Sequence, residues 1–351
     1  MKRTYAVSTP AQQAEKLVSL LQQRFVQGLE KISNELGLPQ TFKPVEWLRD
    51  QGIHGGGIRY ETADGAMIGR GSVNVSQVHY DDNPDKKLGS ATAISTIIHP
   101  NNPLSPSVHI HISWTEMKSG QGYWRLMADL NPANDNLEDK QQFLDVLQQV
   151  APEQFESAKQ QGDTYFYIPA LNRHRGIALF YLEEYNTGDP EADYKLAQAV
   201  GEAAIDCYIN ILKHSLQNTD QVTEDEKAKQ LDYHTLYFFQ VLTLDRGTTT
   251  GLLVHNQNDV GIMGSLPAYV NRELLQSWVA KMQPPQDKLL QALIDVLPNT
   301  SPCLIDEGVK EKLACVVRQH YQNFPEAITM QAAGHSIPPT VQKSQLDLTK
   351  M

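Results

Sequence analysis

Cysteine is scarce in this 351-residue chain: Cys207, Cys303 and Cys315 are the whole set, and none pair in Cys-x-x-Cys spacing. A disulfide framework and a structural zinc site of the usual spacing are therefore not expected, and a reducing cytoplasm fits. Long apolar runs are lacking too. The longest hydrophobic stretches are broken by polar residues well short of the ~20 needed to span a bilayer. The start, Met1-Lys2-Arg3-Thr4-Tyr5, has no apolar h-region behind it, so a signal peptide is not expected. Positive charge is in deficit, with a formal net charge of −11. Nucleic acid and anionic membranes are poor partners for such a chain, whereas a local arginine cluster can still hold an anionic substrate.

What is present suffices for a sizeable core, since 40% of the residues are hydrophobic. The first element reads as a helix, with Thr9 as N-cap, Pro10 at the first helical position and Gln12 at capping-box distance. Val18, Leu21, Phe25, Leu29, Ile32 and Leu36 then mark one face at helical spacing. From Gly57 to about Leu130 the period becomes two. Strands are predicted over Ser72–His79, Ala91–His99, Val108–Trp114 and Tyr123–Leu130, with turn-rich links short enough to demand antiparallel pairing. A helical region from Leu137 to Lys159 follows, then a strand over Gly176–Leu182 and a long helix from Asp189-Pro190 to about Leu216. Thr223 and Glu226 form a second capping-box pattern. Leu236–Leu244 and Thr250–His255 read as a strand pair across the turn Asp245-Arg246-Gly247. Helices are predicted over Asn271–Met282, Gln286–Val296 and Glu307–Tyr321, with a loosely ordered polar tail from Pro325. This order suggests an α+β fold built on a large antiparallel β-sheet covered by helices.

The most informative stretch is Val108-His109-Ile110-His111-Ile112-Ser113-Trp114. Strict alternation places the apolar residues on one face and His109, His111 and Ser113 on the other. Three readings compete: a solvated face, a metal site completed by Glu116, or a substrate site using histidine as donor or proton shuttle. Parity counts against the metal site, because Glu116 falls on the apolar face unless a bulge intervenes.

Several pieces occur together in order. They are Ser72-Val73-Asn74-Val75-Ser76-Gln77-Val78-His79, His99-Pro100-Asn101-Asn102-Pro103 leading to His109, and Tyr123-Trp124 through Asp129-Leu130-Asn131-Pro132. Tyr165-Phe166-Tyr167-Ile168, Arg175-Gly176-Ile177, Leu244-Asp245-Arg246-Gly247-Thr248 and Ile262-Met263-Gly264-Ser265-Leu266-Pro267 follow. From roughly Gly71 to Pro298 this ordered set resembles the oxygen-dependent coproporphyrinogen III oxidases. The resemblance implies a large antiparallel sheet sandwiched between α-helices, a deep cleft and a homodimer. It places a single domain over 1–298, with 299–351 as a C-terminal helical extension and tail. It also implies oxidative decarboxylation of coproporphyrinogen III propionates to vinyl groups, with dioxygen as co-substrate and no metal or organic cofactor.

On that resemblance His109, Asp129 and Asp245 are the candidate catalytic residues. Asn74, His111, Arg175, Arg246 and Arg125 are the candidate substrate contacts. Carboxylates can accept from pyrrole N–H groups, and guanidinium groups match propionates bidentately. Read from residues alone, Asp245 is rather a turn aspartate bonded to backbone amides, and Arg175 can be a surface partner of Glu183 or Glu184. The sequence departs from the family at Ser113, where the family carries arginine, at Leu126-Met127 in place of glycines, and at Ala170-Leu171 in place of a His-Arg pair. By parity Arg125 shares a face with Asp129 and can compensate for the arginine absent at Ser113. These departures motivate one alternative, a relative that binds or modifies another tetrapyrrole. The others are a His-x-His metal-dependent oxygenase and a non-catalytic partner-binding protein.

Overall fold

A computed structural model describes residues 2–63, 65–217, 222–254 and 258–332. The chain divides into two compact units, one drawn from Met1–Gly162 and Gly176–Val222, the other from Asp163–Arg175 and Thr223–Met351.

The first unit is built on a seven-stranded antiparallel meander: β1 (Lys43–Leu48), β2 (Gly55–Ala63), β3 (Ile68–His79), β4 (Leu88–Pro100), β5 (Ser107–Met117), β6 (Gly122–Asn131) and β7 (Ala178–Tyr185), neighbouring one another in that order. The strands predicted over Ser72–His79, Ala91–His99, Val108–Trp114 and Tyr123–Leu130 are present, each somewhat longer, and the one predicted over Gly176–Leu182 runs over Ala178–Tyr185. β1 was not foreseen: Pro44 and an exposed, alternating surface weaken its signal, and it lies at the sheet edge where a missing N–H costs no ladder bond. Gly55 and Gly56 open β2 with φ of 90° and 151°, and a Cβ there would lie 2.1 Å from the Gln77 carbonyl and 2.2 Å from that of Trp47. Only glycine lets the backbones approach this closely.

One sheet face is apolar. Val73, Val75, Ile94, Ile110, Ile112, Leu126 and Phe180 pack with Leu17, Leu21, Phe25 and Leu29 of α1 (Thr9–Glu35) and Ile205, Tyr208 and Leu212 of α4 (Pro190–Gln217) in one buried cluster. Phe143 and Leu147 of α2 (Leu137–Val150) and Ala158 of α3 (Phe155–Tyr165) complete it. The cap of α1 is Ser8, not Thr9: its hydroxyl accepts from the Ala11 N–H at 3.2 Å, and Thr9 is the first helical residue. The single helical region foreseen over 137–159 is two helices, interrupted around Pro152.

The second unit is mainly helical: α5 (Glu224–Thr243), α6 (Arg246–Val254), α7 (Asp259–Ile262), α8 (Arg272–Val279), α9 (Gln286–Asp295) and α10 (Glu307–Asn323). Two-residue strands pair Tyr269–Val270 with Cys303–Leu304, and Tyr167–Ile168 with Arg173–His174. The strand pair foreseen over 236–244 and 250–255 is a correction. Leu236–Thr243 belong to α5 and Thr250 to α6, while His255 lies outside the described residues. The aromatic run Tyr237-Phe238-Phe239 reads equally as strand or buried helix, and the Thr223–Glu226 capping box, formed with both bonds, decides for helix. The start of the tail is also ordered. Pro325–Met330 form a 3₁₀ turn and the Ala332 N–H donates to the Leu244 carbonyl at 2.8 Å. Residues 333–351 lie outside the described residues.

The fold is α+β with a large antiparallel sheet layered with helices, as expected. Among the described residues no helix is long and apolar enough to cross a membrane.

Candidate active site

Register fixes which side chains share the second, polar face of the sheet. Directly opposed residues of antiparallel strands point the same way, so pairing defines rows across the sheet. One row runs Glu61, Ser72, Ile97, His109, Asp129 and Leu179. The next runs Arg59, Asn74, Ser95, His111, Met127 and Tyr181. A third runs Gly57, Ser76, Ala93, Ser113 and Arg125. Small residues floor the middle, while imidazoles, a carboxylate and arginines stand around them.

At the centre His109 Nδ1 lies 2.7 Å from Asp129 Oδ1. Asp129 is fully buried and the His109 side chain 15% exposed. A carboxylate oxygen only accepts, so Nδ1 carries the hydrogen in this pair. The other carboxylate oxygen accepts from Asn131 Nδ2 at 2.7 Å. Asp129 is thus held from two sides, and a side chain so fixed orients the imidazole at no further entropic cost. Asn131 was not foreseen; its signal was available, since residues two apart in a strand share a face.

His111 stands beside His109 on the same strand. Its imidazole is held well below its ordinary pKa by lost solvation first, then by the charges of Arg125 and His109. It is therefore a neutral donor or acceptor at pH 7. Asn74 Oδ1 accepts from the Trp47 indole N–H at 3.3 Å, which ties this amide to the edge strand. Arg125 sits directly opposite Ser113, on the face it shares with Asp129, and its Nε donates to Glu183 Oε1 at 3.0 Å. Glu183, considered from sequence as a partner of Arg175, is thus the partner of Arg125.

Glu116 stays on the apolar side of β5, where its carboxylate accepts from the Ser8 hydroxyl at 2.5 Å. The triad of His109, His111 and Glu116 does not form. Among the described residues no group of three or more His, Cys, Asp and Glu side chains is placed to hold a metal ion.

Arg175, Asp245 and Arg246 belong to the second unit. Arg175 is 3% exposed, donates from Nη1 to Gln240 Oε1 at 2.8 Å and lies 4.2 Å over the Phe166 ring. It is a desolvated guanidinium held by an amide and an aromatic face, not a surface ion pair. Asp245 follows the end of α5 and caps α6. Its Oδ1 accepts from the Thr248 N–H at 2.7 Å, and Tyr165 donates to Oδ2 at 3.4 Å. The Asp245 N–H donates to the Gln240 carbonyl at 3.0 Å, so buried Gln240 links Arg175 to Asp245. Gln240 carried no signal in the sequence, because its segment was read as a strand. Arg246, the first residue of α6, makes no ion pair among the described residues.

Residues 13–299 match the family model described as coproporphyrinogen III oxidase. The chain is 27% identical over 332 residues to the oxygen-dependent coproporphyrinogen-III oxidase of Prochlorococcus marinus, covering 83% of this chain and 92% of that one. It is 27% identical over 281 residues to the mitochondrial oxygen-dependent coproporphyrinogen-III oxidase of Rattus norvegicus, covering 73% of this chain and 61% of that protein's length. To the Drosophila melanogaster oxygen-dependent coproporphyrinogen-III oxidase it is 26% identical over 303 residues, 80% of this chain and 75% of the relative. With most of its length matched, the chain belongs to the coproporphyrinogen III oxidase family.

Proposed function

We propose that this protein oxidatively decarboxylates two propionate groups of coproporphyrinogen III to vinyl groups, yielding protoporphyrinogen IX in haem and porphyrin biosynthesis. In each round a –CH2–CH2–COO⁻ group, one O2 and one proton give –CH=CH2, CO2 and H2O2. A hydrogen leaves the carbon next to the pyrrole with its electron pair, which reduces dioxygen. The bond to the carboxylate breaks, and its electron pair becomes the new double bond. The reduced macrocycle is electron-rich enough to supply the electrons, so the reading requires no metal and no organic cofactor.

The observation that carries the reading is the Asp129–His109 pair, 2.7 Å apart, at the centre of a polar sheet face floored by small residues. A flat macrocycle can lie on such a floor. His109 then exchanges a proton with the substrate, and Asp129 holds and orients the imidazole. His111 and Asn74 supply hydrogen bonds to the macrocycle, and Arg125 faces a propionate. For Asp245 as a pyrrole N–H contact, and for Arg175 and Arg246 as propionate holders, the family resemblance is the support. It likewise supports a homodimer, while the scarcity of cysteine fits a reducing cytoplasm.

The test is turnover of coproporphyrinogen III in air by chelator-treated protein, read as protoporphyrin fluorescence after oxidation. Turnover that survives the chelator and is lost in Asp129→Asn is expected. Saturable porphyrin binding without turnover would establish a repurposed relative. Stoichiometric iron, with activity lost to the chelator, would replace this reading with a metal-dependent one.

A further inference from the structure

The family match ends at residue 299, yet the chain continues through α10 and the 3₁₀ turn and comes back at Ala332 to a candidate catalytic residue. All the contacts involved lie within the second unit. α5 ends at Thr243, and the carbonyls at a helix end have no partner inside the helix. Gln286 of α9 donates from Nε2 to the Thr243 carbonyl at 2.9 Å. The next carbonyl, that of Leu244, accepts from the Ala332 N–H at 2.8 Å, and Asp245 pairs with Ala332 as a parallel bridge. One residue earlier, Gln331 Nε2 donates to Thr249 Oγ1 at 2.7 Å, and the Tyr321 hydroxyl of α10 bonds the same Thr249 side chain. Leu244, Thr249, Gln331 and Ala332 are all buried.

These bonds bracket Asp245. Its carboxylate is aimed by the first turn of α6, where Oδ1 accepts from the Thr248 N–H, and by the Tyr165 hydroxyl. Ala332 holds the backbone just before it. Gln331 holds the α6 residue whose N–H donates to the Asp245 carbonyl at 3.2 Å. An exposed junction between helices satisfies its carbonyls with water and keeps some freedom, whereas buried protein donors hold it to one geometry. Catalytic geometry tolerates little displacement, since a misplacement of about 1 Å costs about a hundredfold in rate.

We infer that Gln331 and Ala332, beyond the matched part of the chain, are positioning residues that lock the α5–α6 junction and thereby aim the Asp245 carboxylate. This inference rests on the reading of Asp245 as a group that serves the reaction.

The test is steady-state turnover of coproporphyrinogen III by the full chain, beside fluorescence titration with coproporphyrin III. Gln331→Leu removes the donor and fills its space. Ala332→Pro removes the N–H, and Gln331, at φ −94° and ψ 157°, already has the backbone that a following proline requires. Each should lower kcat about tenfold and the two together about a hundredfold, while coproporphyrin affinity stays within about threefold of wild type. The number of binding sites per chain should match wild type. Thr249→Ser keeps the hydroxyl and should stay within about twofold of wild-type kcat, whereas Thr249→Val should fall with Gln331→Leu. A merely structural role would remove binding sites and turnover in proportion. That result, or an unchanged kcat in the combined variant, would overturn the inference. Asp245→Ser separates this failure from failure of the reading beneath it. Full turnover in Asp245→Ser would remove Asp245 from the reaction. Lost turnover there, beside an unaffected combined variant, would overturn the positioning role alone.

Discussion

At the scale of single residues, the candidate site separates groups that act through geometry from groups that act through charge. Asp129 does both. Replacing it by asparagine keeps the shape but puts an amide where His109 Nδ1 needs an acceptor, and the imidazole turns to its other tautomer. Asp129→Asn should therefore lower kcat about a hundred- to ten-thousandfold while coproporphyrin affinity changes little; steady-state turnover beside a binding titration checks it. Asp245 poses a different question, because capping α6 through the Thr248 N–H fully accounts for one of its oxygens. Serine caps as well as aspartate but carries no charge, whereas alanine does neither. Asp245→Ala should cost about 1 kcal/mol of stability by chemical denaturation and Asp245→Ser much less. If the carboxylate serves the reaction, both variants lose turnover. If it serves only the helix, Asp245→Ser keeps it.

Residues of this kind were legible in the sequence to different degrees, and the reason is physical. His109, Asp129, His111 and Arg125 share a face by parity alone, which a strand enforces with period two. Arg59 needed more than parity: its alignment with Asn74 depends on the register between β2 and β3, and register is a property of paired strands, not of one strand. Gln240 and Tyr165 are tied to Arg175 and Asp245 by folding of the chain well beyond any local pattern.

At the scale of elements, the meander was readable because β3 to β6 alternate cleanly and their links are too short for anything but antiparallel neighbours. The α5 region was not. A stretch such as Leu236-Tyr237-Phe238-Phe239-Gln240-Val241-Leu242 is buried on nearly all sides, so no polar stripe marks the helical period. Its β-branched and aromatic residues favour a strand locally, and the helix is set instead by its start. Thr223 accepts from the Glu226 N–H at 3.3 Å, and Glu226 accepts from the Thr223 N–H at 2.7 Å. Removing the hydroxyl leaves an N–H at the helix start without its partner. Thr223→Ala should destabilise the protein by about 1 kcal/mol, and Thr223→Ser by only a few tenths. Urea unfolding monitored by helical circular dichroism measures both. An unchanged midpoint for Thr223→Ala would mean that packing, not the cap, selects the helix.

For the whole molecule, acidity is a weakness that follows from three desolvated histidines. Burial lowers the pKa of His234 from 6.5 to about 4, and it lowers those of His111 and His320 as well. In the folded protein these imidazoles are neutral at pH 7 and resist protonation; in the unfolded chain they titrate near their ordinary value. Above about pH 6.5 both states are neutral there and the shift contributes nothing. As pH falls below that value the unfolded state takes up protons that the folded state refuses, so stability is lost. For His234 alone the loss between pH 7 and pH 5 is about 2 kcal/mol. Glu15 and Asp139 oppose this trend, since burial raises their pKa values and protonation then favours the folded state; they act nearer the carboxylate range. In the window from pH 6.5 to 5 the histidines therefore dominate. Stability measured by urea unfolding should fall steadily across it, and His234→Gln should fall less steeply. The gap between wild type and variant should narrow by about 2 kcal/mol from pH 7 to pH 5, whatever the variant costs at neutral pH. A gap that stays constant across that range would show that His234 is solvated and free to titrate normally. That would leave the acid sensitivity to His111, beside the Asp129–His109 pair in the sheet, and to His320 in α10.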